Sequence, residues 1–264
     1  MLLGVDFKVK YGNTFYKMLA SNLTHHGFTY KIGENIDHNE FEPSGSCLKG
    51  GLYFINLNNL LQFVMYGPYI GLIEISDDAQ VYIEKDKFKA NKVTLVKILN
   101  NEVDILELLR LSFHNGCLFP VDMCEYAALH GYLEILKWAR AHECRWNRWT
   151  CSYAAQNGHL EILKWMRDHK CEWDESICAS AALNGHLETL KWARENGCPW
   201  DARTCAAAAL NGHLETLKWA REHGCPWDGR TSMLAAQNCH LEILNWAREN
   251  GCPCDAYVTS IGFL

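Results

Sequence analysis

The sequence predicts an α+β domain over residues 1–100 followed by an all-α solenoid over residues 101–264. Three observations predict it. A cysteine recurs at Cys117, Cys144, Cys171, Cys198, Cys225 and Cys252, each step being 27 residues. Trp138, Trp165, Trp192, Trp219 and Trp246 keep the same step, as do Ala-Ala pairs from Ala127-Ala128 to Ala235-Ala236. Such self-similarity marks stacked repeats, because one short unit cannot enclose a core by itself. Before Asn100 nothing repeats, and Tyr, Phe, Ile and Val come in short runs punctuated by glycine.

Taken in order, Phe28 to Ile32 alternates as a strand does, Gly51 to Ile55 reads as a buried strand, and Asn58 to Tyr66 reads as a short helix. Ile70–Ile75, Ala79–Glu84 and Lys92–Leu99 read as further strands. From Val103 the run Ile105-Leu106-Glu107-Leu108-Leu109-Arg110 matches the second half of a repeat, so a lone helix opens the solenoid. Five full repeats begin near Gly116, Glu143, Lys170, Gly197 and Gly224, and a partial one, Asp255 to Leu264, closes the chain.

Within a repeat, Asp201 has the chemistry of an N-cap, with Asn147, Asp174, Asp228 and Asp255 in the same place. Cys205, Ala208 and Ala209 share one helix face at i, i+3 and i+4, small enough to let a second helix approach closely. Asn211-Gly212 ends this first helix. His213 to Arg221 forms the second, with Leu214, Leu217 and Ala220 inward and Trp219 expected to be buried against the next repeat. Gly224 stops it, and Pro226 stiffens the short link.

T-C-A-A-A-A-L-N-G-H-L-E-T-L-K-W-A-R-E-H-G, residues 204–224, resembles the ankyrin repeat most closely across G-H-L-E-x-L-K and the Ala-Ala pair. The family's T-P-L-H tetrapeptide is reduced here to Thr204-Cys205. The period is 27 rather than the family's usual 33, and Cys225-Pro226-Trp227-Asp228 leaves no room for the projecting β-hairpin of the standard repeat. The resemblance implies a helix-turn-helix solenoid whose first helices line a concave groove for protein partners. It also implies that His159, His186, His213 and His240 fix turns rather than bind metal.

The N-terminal domain has its own likeness. H-H-G-F-T-Y-K-I-G-E-N-I-D, P-S-G-S-C-L-K-G-G-L-Y-F and K-F-K-A-N-K-V-T-L occur in that order. Together they are similar to the N-terminal domain of ankyrin-repeat proteins of large amoeba-infecting DNA viruses of the mimivirus type. That likeness implies a viral protein working in a host cell, and it brings no activity with it. Separately, His26-Gly27 and Gly51-Leu52-Tyr53-Phe54 are similar to the H-G-[ST] and G-[IL]-Y-F motifs of ADP-ribosyltransferases of the poly(ADP-ribose) polymerase type. That would put His26 on an NAD ribose and Tyr53 on nicotinamide. Phe28 departs from the motif, and the acidic residue has only Glu74 and Glu84 as candidates.

Composition narrows the classes. The net charge is −6 with mixed signs, which offers no nucleic-acid footprint. No apolar run reaches the length of a membrane span, and the N-terminus lacks the apolar core of a signal peptide. We therefore expect an intracellular protein, in the host cytoplasm, with no membrane or nucleic-acid partner. The thirteen cysteines mostly obey the repeat and are expected as reduced, packed thiols. Cys252-Pro253-Cys254 is the one tight pair, with Cys254 at a tryptophan position.

The repeats differ from one another on the first helix, away from the Cys-Ala-Ala face. There Tyr126, Arg148, Trp149, Tyr153, Arg203 and Arg230 stand out, because aromatics and arginine dominate interface energies. The expected function is non-enzymatic protein-protein interaction, in a host-virus setting, through the concave face and without cofactor. The alternative is an NAD-dependent ADP-ribosyltransferase-like N-terminal domain targeted by the repeats.

Overall fold

The computed structural model describes residues 1–25, 27–43 and 50–253. The partial repeat from Asp255, with Cys254 before it, lies outside the described residues, as do His26 and the Ser44–Lys49 part of the second N-terminal motif. The chain divides into two compact units, Met1–Met123 and Cys124–Leu264.

The first unit begins with β1 (Leu2–Leu3) and α1 (Gly4–Tyr11), followed by β2 (Phe15–Leu19), β3 (Thr24–His25), β4 (Phe28–Thr29), β5 (Gly33–Ile36) and β6 (Leu52–Phe54). A 3₁₀ helix (Leu57–Tyr66) leads into β7 (Tyr69–Glu74), β8 (Gln80–Ile83), β9 (Phe88–Ala90), β10 (Lys92–Leu99) and α2 (Glu102–His114). Two four-stranded antiparallel sheets result, ordered β1-β8-β9-β6 and β2-β7-β10-β5, with β3-β4 as a separate hairpin. The sheets meet where Tyr16 bridges Ile55, each N–H donating to the other's carbonyl at 2.8 Å.

The strands expected at 51–55, 70–75, 79–84 and 92–99 are present as β6, β7, β8 and β10, and the short helix expected at 58–66 is the 3₁₀ helix. The expected strand at Phe28–Ile32 shrinks to the two-residue β4. The reading missed α1, which supplies the centre of the core. Phe7 packs against Phe15 and Phe88 with ring centroids 5.0 and 4.9 Å away, and against Phe54 at 5.9 Å. Gly4 is what lets α1 start there. A Cβ at Gly4 would sit 1.9 Å from the Ser76 carbonyl oxygen, while the Gly4 N–H donates to Ala79 O at 2.8 Å.

The lone helix α2 begins on an Asn101 cap, whose side chain accepts from the Asp104 N–H at 3.0 Å. It belongs to the first unit. Ser112 Oγ donates to Leu57 O at 2.8 Å, and the Cys117 thiol donates to Asn58 O at 2.7 Å, so α2 is tied to the 3₁₀ helix.

The repeats follow as pairs: α3 (Met123–His130) with α4 (Leu133–Ala141), α5 (Arg148–Gln156) with α6 (Leu160–Asp168), α7 (Glu175–Leu183) with α8 (Leu187–Glu195), α9 (Ala202–Leu210) with α10 (Leu214–Glu222), and α11 (Gly229–Gln237) with α12 (Leu241–Glu249). Asn147, Asp174, Asp201 and Asp228 cap the first helices, each side chain accepting from the N–H two residues on. Asn147 and Thr150 complete a capping box.

The 27-residue period has a hydrogen-bond basis. Cys171, Cys198, Cys225 and Cys252 donate their thiols to the carbonyls of Asn147, Asp174, Asp201 and Asp228, the cap residues one repeat earlier, at 3.4–3.8 Å. His159 Nε2 donates to Leu129 O at 3.2 Å, and His240 Nε2 to Leu210 O at 3.1 Å, again one repeat back. Gly131, Gly158, Gly185 and Gly212 stand at this turn because the histidine ring of the following repeat lies on each: a Cβ at Gly131 would meet His159 at 2.8 Å. The histidines therefore fix turns and staple neighbouring repeats.

The tryptophan expectation needs correcting. Trp138 is buried, but Trp165, Trp192, Trp219 and Trp246 are half-buried. Each of those four packs edge-on against a link tryptophan, Trp146, Trp173, Trp200 or Trp227, at centroid distances of 5.5–6.0 Å. Each pair lies along the edge of the stack, so one side of the indole stays open.

Along the second unit the first helices pack close together and the second helices stand further apart. Alanine, serine and cysteine permit the close row, while the indole pairs accompany the wide one. The first helices therefore form the inner row of the curve.

Candidate partner-binding surface

Trp149 is 53% exposed on α5, at the second helical position after the Asn147 cap. The Arg148 guanidinium lies 5.2 Å from its ring centroid and reaches Asp174 at 3.7 Å. Tyr153, one turn further along α5, is half-buried. These three residues lie on one inner helix.

Tyr126 does not join them. It is fully buried, with its ring 4.8 Å from His130 and 5.8 Å from Tyr132, and burial pushes its hydroxyl pKa up. The first repeat carries Tyr132 where the others carry histidine, and Tyr126 fills the space beside that larger ring. Its place on an exposed column was misread, because that position of α3 packs against Tyr132, at the turn into α4.

The distant arginines are held locally. Arg203 Nε donates to Asp201 at 2.8 Å and its Nη2 lies 3.6 Å from Glu175. Arg230 makes a forked pair with Asp228, with Nη2–Oδ2 at 2.8 Å and Nε–Oδ2 at 3.0 Å. The Arg230 hydrogen bond holds the Asp228 carboxyl below its ordinary pKa. Asp201 and Asp228 thus each carry an arginine at i+2, Asp174 is reached by Arg148 of the preceding repeat, and the inner row is locally charge-balanced rather than basic. Ala206 and Ser152 are buried between neighbouring first helices, where Ser152 Oγ and Ser176 Oγ lie 2.7 Å apart.

A second repeated constellation went unread. Arg140, Arg167, Arg194 and Arg221 lie over the rings of Trp146, Trp173, Trp200 and Trp227 at 4.1–4.5 Å. Arg140 and Arg194 also donate Nη1 to Cys144 O and Cys198 O at 2.6 Å, satisfying a carbonyl in the link. Arginine six residues before tryptophan, repeated every 27 residues, was the available signal.

The residues of the alternative reading are partly visible. Tyr53 is buried on β6, with Lys87 and Lys89 Nζ 4.9 and 5.3 Å from its ring centroid. Glu84 pairs with Lys87 at 3.7 Å, and Glu74 is exposed at the end of β7. Gly27 takes φ +79°. Among the described residues no three metal-binding side chains converge, and no helix is long and apolar enough to cross a membrane.

A family model described as a domain of unknown function, DUF7666, matches residues 13–108. Two proteins of Acanthamoeba polyphaga mimivirus are similar to the chain. Ankyrin repeat protein R229 is 28% identical over 127 residues, covering 43% of this chain and 40% of R229. Ankyrin repeat protein R868 is 29% identical over 131 residues, covering 47% of this chain and 64% of R868. The similarity therefore spans less than two thirds of either relative. It supports the resemblance to mimivirus-type ankyrin-repeat proteins that the N-terminal motifs and the repeat motif carry together.

Proposed function

We propose that the chain is a non-enzymatic protein-interaction module of viral origin, acting in the host cytoplasm, whose inner row of first helices holds a host or viral protein. The observation that carries this reading is Trp149. A large aromatic more than half exposed on the concave row, with a guanidinium over its face, has the chemistry of an interface anchor. Tyr153 extends the same patch, and Arg148 adds a donor fork at its rim. Arg203 and Arg230, already paired with carboxylates, add little net attraction at a distance.

The test is a Trp149→Ala, Tyr153→Ala double variant used as bait in amoeba lysate, beside the unaltered chain. The variant should keep its helical circular dichroism and lose the captured partners. Capture of the same partners by the folded double variant would sink the inner row as the binding surface.

A further inference from the structure

We propose that the row of indoles along the edge of the repeats holds a proline-rich segment in the extended polyproline II conformation, one turn per layer. This goes beyond the inner-row reading and uses neither Trp149 nor Tyr153. The row is periodic. Trp146 with Trp165, Trp173 with Trp192, Trp200 with Trp219 and Trp227 with Trp246 give one edge-on pair per repeat, with centroids 5.5–6.0 Å apart. These rings are all half-buried, so each keeps open surface. Trp146, Trp173, Trp200 and Trp227 directly precede the caps Asn147, Asp174, Asp201 and Asp228, so they recur with the spacing of the first helices. Helices packed side by side lie about 8–10 Å apart. A polyproline II strand rises about 3.1 Å per residue with three residues per turn, so it returns to one face about every 9 Å. One turn of such a strand matches one layer of the stack.

The row is also one-sided in its hydrogen bonding. Indole and guanidinium groups donate and cannot accept. Among the described residues the N–H groups of Trp146, Trp200 and Trp227 meet no acceptor and are not shut away from solvent, while the Trp173 N–H is enclosed and also lacks one. Arg167, Arg194 and Arg221 lie over the link rings and add further donors between the pairs. Polyproline has the converse chemistry: a carbonyl at every residue, no N–H, and apolar rings that stack on flat surface. Grooves lined by aromatic rings recognise it for this reason, and its preformed conformation lowers the entropy lost on binding.

The last pair shows the room available. Lys218, Arg221, Glu222, Trp227, Trp246 and Asn250 wall an open cleft of about 310 Å³. Ligand sites run from roughly 300 to 1,000 Å³, so the cleft can take part of a peptide. Its charges come in both signs. Lys218 is paired with Glu215 at 2.9 Å, and Arg221 and Glu222 stand on the same wall. A wall balanced in this way suits an uncharged strand and gives little pull on a phosphate backbone, whose binding depends on an excess of lysine and arginine.

The probe is an oligoproline of about twelve residues, four turns long, titrated into the full chain and followed by calorimetry and tryptophan fluorescence. It should bind saturably, and an oligoproline of half that length at least about tenfold more weakly, because it spans half the layers. A Gly-Ser peptide of the same length should not bind. Trp200→Phe with Trp227→Phe keeps a ring at each place and removes two N–H donors, so the double variant should weaken the long peptide about tenfold. Should that chain lose its helical circular dichroism, Trp227→Phe alone must still weaken binding about threefold. No saturable oligoproline binding, equal affinity for the two lengths, equal binding of the Gly-Ser peptide, or binding unaltered in the folded double variant would each overturn the proposal. Tighter binding of an oligothymidylate of about twelve nucleotides would overturn it in favour of single-stranded nucleic acid, which also stacks on aromatic rings.

Discussion

The guanidinium of Arg194 lies 4.1 Å above the ring of Trp200. Trp200, in the repeat after Arg194, in turn meets Trp219 of its own repeat edge-on at 6.0 Å. Replacing Trp200 by Ala should therefore cost about 2–3 kcal/mol, less than for a fully buried indole because one side is open. Arg194→Ala should cost about 1 kcal/mol, and the double variant less than the sum of the two singles. Urea unfolding midpoints of the four chains check this. Additive losses would mean that the stacked pair contributes nothing of its own.

Acid should loosen the solenoid through its histidines. Desolvation holds the His130 pKa down at about 4, against an ordinary 6.5, and burial also lowers His159 and His213. Between those values the unfolded chain binds more protons than the folded one, so stability falls as pH drops from about 6.5 toward 4 and is flat above that range. His130 alone should contribute on the order of 2 kcal/mol across the window. His130→Gln should flatten the dependence of unfolding free energy on pH there. An unchanged slope would mean that the ring is solvated in the folded protein.

Glu143 and Lys170 occupy the left-handed backbone position that Gly116, Gly197, Gly224 and Gly251 hold in the other repeats, with φ of 61° and 62°. A side chain there is strained, so Glu143→Gly and Lys170→Gly should each raise stability by about 0.5–1 kcal/mol. Gly197→Glu should lower it. Melting temperatures moving in the opposite order would show that these two side chains are held by contacts stronger than the strain.

Cys239 is exposed, and the other described cysteines are buried. Cys151, Cys178 and Cys205 also have raised thiol pKa values, from hydrogen bonds to Cys171, Cys198 and Cys225 and then from burial. Because the thiolate is the nucleophile, iodoacetamide should label Cys239 first, and the repeat thiols only at the rate of unfolding. Peptide mass mapping over time tests the order. Rapid labelling of Cys178 or Cys205 would contradict the packing.

Much of the solenoid was legible because periodicity is written directly in residue identity. The caps, the turn glycines and the Cys-Ala-Ala face all stand where the 27-residue spacing put them. Tyr126 was misplaced because a column of aligned positions does not report local repacking, and Tyr132 in place of histidine changed what that column faces. In the first unit α1 went unread, since Gly4–Tyr11 has charged residues around Phe7 and little amphipathic pattern.

The thiol-to-cap hydrogen bonds, the histidine staples and the arginine-tryptophan stacks all span neighbouring repeats at matching offsets. Cutting out the block from Asp174 to Trp200 would join Trp173 to Asp201, restoring the same Trp-Asp junction that was removed. Every severed partnership then has an equivalent partner waiting at the seam. The solenoid can gain or lose length in whole blocks of 27 residues without passing through an unfoldable intermediate. Unequal recombination between neighbouring blocks would then alter the reach of the inner row and the side chains it presents, while leaving the joints between blocks as they were.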